Sequence, residues 1–158
     1  MRKRRRHLPH YEQPGRVYFI TFTLKPGIVA DLSAAQVAPI IIGALRYFAG
    51  TRYHLYDYTV MPDHVHCIVQ PIVSDGDCEP LDRIMHSLKS WTANEINRAL
   101  GRTGALWLAE SYDHMLRGED DYKEKARYIF NNPVAVGLVN DPAKWPWWGN
   151  GVHCNGED

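Results

Sequence analysis

Two β-prone runs, residues 54–60 (HLYDYTV) and 64–70 (HVHCIVQ), are separated only by Met61-Pro62-Asp63. So short a proline-bearing connection makes them consecutive strands joined by a tight turn. Successive side chains on a strand point to opposite faces. His64 and His66 therefore project from one face, and Val65, Cys67 and Val69 from the other, where helices are expected to cover them. Any fold adopted by this chain must include a sheet with one apolar face and one face bearing two imidazoles.

The flanking sequence supplies the rest of such a sheet. Residues 17–24 (VYFITFTL) read as a strand closed by Lys25-Pro26-Gly27. Ser33 is the expected N-cap of a helix over 34–48, with Pro39 pointing to a start nearer Ala38 and Gly50 closing it. Residues 71–80 read as a loop. Residues 81–100 carry apolar positions at helical period and stop at Gly101. A short strand over 112–117 follows. A last helix, acid-rich in its first turn, is expected over 119–131, stopped by Pro133. The order β-α-β-β-α-β plus one helix predicts an α+β fold of the ferredoxin-like split βαβ type: a four-stranded antiparallel sheet with two helices on one face.

A length of 158 residues suits one domain over 1–158. Within it, 1–15 form a basic arm, Trp145-Pro146-Trp147-Trp148 is expected to pack over the core, and 149–158 are expected to be a frayed tail. No apolar run reaches membrane-spanning length, since residues 37–49 are interrupted by Pro39 and Arg46. The basic start lacks an apolar core, so no secretion leader is expected. Three cysteines without C-x-x-C spacing argue against a disulfide framework or a structural zinc site and favour a cytoplasmic setting. Net charge is zero, but Arg2, Lys3, Arg4, Arg5 and Arg6 form a block. From charge alone, a phosphate-contacting arm and an idle solvated terminus are equally supported.

His64 and His66 at i and i+2 make a two-ligand platform for a metal. An H-x-H pair alone would still favour ordinary strand histidines. Here the pair follows a proline turn on a strand expected to be central. Tyr128 and Asn132 lie four apart on the last helix, hence on one face. Asn132 could add an amide oxygen, a donor set that suits Mg2+ or Mn2+ better than zinc. On spacing alone, Tyr128 as a packing aromatic and Asn132 as a helix-end residue are the stronger readings.

The residues also carry a resemblance. Met61-Pro62-Asp63-His64-Val65-His66 resembles the histidine–hydrophobic–histidine (HUH) motif of single-tyrosine transposases. The run Arg127-Tyr128-Ile129-Phe130-Asn131-Asn132-Pro133-Val134, with Gly137-Leu138-Val139 behind it, resembles the tyrosine-helix signature of that family. Residues 88–93 and 107–114 resemble further motifs of its REP-associated subgroup. The likeness covers roughly residues 17–147. It implies that His64, His66 and Asn132 hold a divalent cation, Mg2+ or Mn2+. It also implies that Tyr128 attacks a phosphodiester of single-stranded DNA beside a hairpin, leaving a 5′-phosphotyrosine and a free 3′-hydroxyl. Leu108, where the family has Gln, and Trp148-Gly149 depart from the pattern.

Tyr112 is a competing nucleophile, and His114, Glu110 and Asp113 are open as supplementary site residues. Lys89, Arg117 and Arg127, with Arg83, Arg98, Arg102 and the basic arm, are candidate phosphate contacts. Tyr18, Phe22, Tyr56 and Tyr58 are candidates either for base stacking or, more simply, for the core. Two other readings compete: a non-catalytic nucleic-acid-binding module on the same topology, and a phosphoesterase in which water is the nucleophile. The expected partner is single-stranded or hairpin DNA, with no membrane. Monomer and homodimer are both open.

Overall fold

Strand and helix propensities resolve into ten elements within residues 15–151, the part described by the computed structural model. In chain order they are β1 (Val17–Thr23), α1 (Ala38–Phe48), β2 (Tyr53–Val60), β3 (His64–Pro71), β4 (Val73–Ser74), β5 (Asp77–Cys78), α2 (Leu81–Leu100), β6 (Tyr112–Leu116), α3 (Glu119–Ala135) and β7 (Trp148–Asn150). The main sheet runs β6-β1-β3-β2-β7, and every pair in it is antiparallel. β1, β3 and β2 are its interior strands, and β1 and β3 are in register at Thr21↔His66 and Phe22↔Val65.

Alternation along these strands divides the interior in two. Val65, Cys67 and Val69 of β3 join Ile20 and Phe22 of β1 against Ile41 and Leu45 of α1 and Ile84, Leu88 and Ile96 of α2. Fully covering an Ile or Leu side chain stabilises by about 1.5–3 kcal/mol, so this layer dominates the stability. The opposite face holds a smaller cluster, in which Val17, Phe19, Tyr56, Ile68 and Leu116 pack against Tyr122, Ala126 and Ile129 of α3. No helix among the described residues is long and apolar enough to cross a membrane.

Several expectations need correction. The sheet has five strands rather than four, because residues 148–150 pair with β2 instead of fraying. Glycine permits that close approach: a Cβ on Gly149 would lie 2.3 Å from the Tyr58 hydroxyl oxygen. The tryptophans anchor the returning segment, with Trp145 Nε1 donating to the Val60 carbonyl and Trp147 Nε1 to that of Ser33. Residues 152–158 lie outside the described part. The expected loop over 71–80 contains the β4–β5 hairpin, turned by Asp75 (φ 53°) and Gly76 (φ 76°). Ser33 does not cap α1: its amide and hydroxyl both bond to Asp31 Oδ1, and the helix starts at Ala38 with proline in its first turn.

Pro133 does not end α3, which continues to Ala135. A proline removes one backbone donor. So near the end of a helix that loss is small, and the final carbonyls are satisfied from beyond: Asn132 by the Val136 amide and Pro133 by that of Leu138. Asn132 is thus held inside the helix rather than at a loose end. β2 carries a bulge, with Leu55 opposite Val69 but Tyr58 opposite Cys67. The extra residue keeps Leu55 and Tyr58 on the large-core side and turns Tyr56 to α3.

Candidate active site

The histidine face is only partly roofed by α3. The buried stripe of that helix, Tyr122, Ala126, Ile129 and Pro133, seats it on the sheet. Tyr122 fixes it further by donating its hydroxyl to the Asp57 carboxylate. The adjacent stripe, Lys125, Tyr128 and Asn132, is then brought to the edge of the contact at i, i+3 and i+7 spacing.

Each histidine is oriented by a neighbour. His64 Nδ1 lies 2.7 Å from Asp63 Oδ1. A carboxylate only accepts, so Nδ1 donates in that contact, and in the neutral ring Nε2 then carries the lone pair. Nε2 faces Asn132 Oδ1 at 3.4 Å. Two acceptors turned toward each other form a donor set for a cation. His66 is buried (5% exposed), and its Nδ1 sits 2.7 Å from Thr21 Oγ1. Its Nε2 is buried with no hydrogen-bond partner. Burial, and then the neighbouring His64, push its pKa down to about 3, so it is a neutral imidazole at ordinary pH. The two rings are 4.5 Å apart, centroid to centroid.

The orphaned nitrogen, the facing acceptors and the two orienting partners fit a hard divalent cation held by nitrogen and amide oxygen. Among the described residues no three His, Cys, Asp or Glu side chains are gathered for a metal. The set here is two histidines and an asparagine.

Tyr128 is half exposed (49%), with its ring centroid 5.4 Å from that of His66. With Asn132, Lys125 and Arg127 it lines a groove of about 300 Å³. Tyr112 is also exposed and shares this face, opposite Thr21 on β6. It stands two strands from His66, about 10 Å at ordinary strand spacing. Its ring lies edge-on to Phe19 at 6.5 Å. His114 sits opposite Phe19 on the same face, farther from the histidine pair.

Glu110, Asp113 and Lys89 are not in this group. They line a larger groove, about 750 Å³, on the α2 side of the sheet. Lys89 is committed there, donating to the carbonyls of Leu108 and Ala109 and to the Ser111 hydroxyl. Close by, Trp107 Nε1 donates to Thr92 Oγ1. The segments 88–93 and 107–111 therefore clasp each other. Arg117, between β6 and α3, and Arg127, in the middle of α3, are exposed. Arg98 pairs with Glu95, and Arg102 bonds to Asn97. Phe22, Tyr56 and Tyr58 are buried and offer no open stacking platform. Arg2, Lys3, Arg4, Arg5 and Arg6 lie outside the described residues.

Sequence reasoning passed over Asp63, Thr21, Phe19 and Lys125. Asp63 had a signal, since it directly precedes His64. Thr21 had none, because it reaches His66 only across the β1–β3 ladder.

No family model matches the chain. It is 28% identical over 137 residues to the REP-associated tyrosine transposase of Escherichia coli K12, covering 87% of this chain and 78% of that protein. A Haemophilus influenzae protein that carries the same family name is 27% identical over 146 residues, covering 84% and 78% respectively. In three dimensions the chain superposes on a solved REP-associated tyrosine transposase bound to a REP hairpin. The TM-score is 0.66 at 24% identity, over 94% of this chain and 82% of that one, which is a likeness of fold.

Proposed function

From the premise that this chain is a homologue of the REP-associated tyrosine transposases, we propose that it is a metal-dependent enzyme that cleaves and rejoins single-stranded DNA beside hairpins, with Tyr128 as nucleophile. The observation that carries the proposal is the convergence on one face of His64, His66, Asn132 and Tyr128 from two elements far apart in sequence. The order β6-β1-β3-β2, with α1 and α2 on one side, supports reading the core as a split βαβ unit to which β7 adds an edge.

His64, His66 and Asn132 would hold Mg2+ or Mn2+. The chemistry such a cation would supply is Lewis-acid polarisation of the scissile phosphate. The protein does the remainder. Asp63 and Thr21 fix the two imidazoles, and α3 presents the Tyr128 hydroxyl at the rim of the groove. The phenolic oxygen bonds to phosphorus as the bond from phosphorus to the 3′-oxygen breaks. The phenolic proton passes to solvent, and the departing oxygen takes up a proton as the free 3′-hydroxyl. The phosphotyrosine ester keeps the bond energy, so reversal by a 3′-hydroxyl rejoins strands. Hairpin DNA enters as substrate because the solved relative is bound to a REP hairpin. Action on DNA suits a cytoplasmic site.

The test is to incubate the protein with a hairpin-bearing single-stranded oligonucleotide and Mg2+ or Mn2+, then resolve it under denaturing conditions. A covalent protein–DNA adduct is expected, abolished by Tyr128→Phe and by His64→Ala. An adduct that survives Tyr128→Phe but not Tyr112→Phe would transfer the nucleophile to β6. Cleavage without an adduct would favour water as nucleophile.

A further inference from the structure

Lys125 lies one helical turn before Tyr128, on the stripe that also bears Asn132. Its ammonium is 5.0 Å from the centroid of the Phe19 ring and 5.9 Å from that of Tyr128. Phe19 in turn stacks on His66 at 5.3 Å and meets Tyr128 edge-on at 6.1 Å. The cation is thus held against aromatic surface beside both the nucleophile and the histidine pair. Among the described residues no carboxylate pairs with it, whereas its neighbour Lys123 is bridged to Glu119 at 3.1 Å. An ammonium is strongly hydrated and normally keeps water or a counter-ion. Setting it on the Phe19 and Tyr128 rings, with no paired carboxylate, leaves a positive charge on the lining of the Tyr128 groove.

The other groups in the groove do not supply that charge. Asn131 and Asn132 are uncharged, and Glu124 on the same lining carries the opposite sign. Arg127 is exposed and adjacent in sequence to Tyr128, so on a helix it points about 100° away from it. An anion placed for attack by the Tyr128 hydroxyl would have Lys125 as its nearest protein cation.

Resting on the tyrosine-nucleophile reading above, we propose that Lys125 is a further catalytic residue: its ammonium binds a non-bridging oxygen of the scissile phosphate and neutralises it as Tyr128 attacks. Positive charge aimed where negative charge builds up lowers the barrier without moving during the reaction. The residue transfers no proton. It acts as a fixed counter-charge, so arginine should replace it and glutamine should not.

The experiment compares wild type, Lys125→Gln, Lys125→Arg and Tyr128→Phe in single-turnover adduct formation. It uses a REP-hairpin oligonucleotide with single-stranded flanks and Mg2+. A second substrate carries a methylphosphonate at the scissile position, which removes the charged non-bridging oxygen. On ordinary DNA, Lys125→Gln should slow adduct formation on the order of 10²-fold, the effect of removing one preorganised charge-stabilising donor. Lys125→Arg should recover most of the rate, and hairpin affinity should stay unchanged in both. On the methylphosphonate, wild type and Lys125→Gln should react equally fast.

Equal rates on ordinary DNA would overturn the proposal. So would the same deficit on both substrates, because a packing role does not depend on the charge of the phosphate. An adduct that persists in Tyr128→Phe, or no adduct in wild type, would instead sink the underlying reading. Those results are separate from a wild-type adduct that Lys125→Gln leaves intact.

Discussion

Under α1 and α2, the alternate residues of β3, Val65, Cys67 and Val69, are apolar and fully covered. Under α3, the intervening positions carry His64 and His66, one of them with a buried nitrogen that no group satisfies. Among the described residues, three buried side-chain polar atoms lack a partner: Thr59 Oγ1, His66 Nε2 and Trp148 Nε1. The register places them side by side on neighbouring strands, Trp148 opposite Thr59 and Thr59 opposite His66. All three belong to the α3 face. Leaving buried polar groups unpaired costs about 1–3 kcal/mol each. The fold tolerates that cost only where the opposite layer is well packed. One strand thus divides its work by parity: Val65, Cys67 and Val69 build the large core, while the other face carries His64 and His66 beside the packing residue Ile68.

The first way to break that division is a cavity in the large core. Leu88→Ala should lower stability by about 2–5 kcal/mol in chemical denaturation, while adduct formation persists at low temperature. A site that failed while the protein was still folded would show that the two faces are coupled.

A second effect, smaller over any one pH unit, should come from acid. The His66 pKa in the folded state is about 3, against an ordinary value of 6.5. Below pH 6.5 the unfolded chain therefore binds a proton that the folded chain does not, and stability falls as pH drops from 6.5 toward 3. Above that window this residue contributes no pH dependence. In metal-free buffer the loss should reach about 1.4 kcal/mol per pH unit, and His66→Gln should flatten it. Denaturation midpoints at several pH values would check this. An unchanged slope in the variant would assign the acid sensitivity elsewhere.

Next comes Thr21→Val, at about 1–3 kcal/mol because it leaves the buried His66 Nδ1 without its partner, and smallest is Asp63→Asn, at under about 1 kcal/mol. Both should nonetheless raise the metal concentration needed for adduct formation about 10- to 100-fold, as loss of ligand-orienting partners does. A large drop in melting temperature with unchanged metal demand would reverse the roles assigned to these residues.

Much of this was legible in the sequence because alternation is a local rule. The spacing of His64, Val65 and His66 told which side chains share a face, and the helical spacing of Tyr128 and Asn132 held in α3. What was missed depended on partners distant in sequence. Thr21 reads as one more β-branched residue until β1 lies beside β3. Gly149 and Trp148 read as tail because a three-residue strand is recognisable only against the edge of β2. Pro133 was taken as a helix stop, since nothing local shows that Val136 and Leu138 supply the amides that let the last turn continue. In the sequence, the helical pairing with Asn132 and the family resemblance favour Tyr128 over Tyr112. In the folded protein Tyr128 is in ring contact with His66, whereas Tyr112 meets Phe19 edge-on.

β1 lies between β3 and β6, so its N-terminal end pairs Val17 with Leu116 while Thr21 pairs with His66. Both partners are made long after β1 itself, and α3 follows β6. During synthesis β1 must wait on the ribosome without either neighbour, and such non-local pairing is slow to form. The histidine face therefore cannot be completed by a nascent chain or by a fragment that ends before α3. A prematurely terminated copy would carry both histidines and yet lack the helix whose Tyr128 and Asn132 face them.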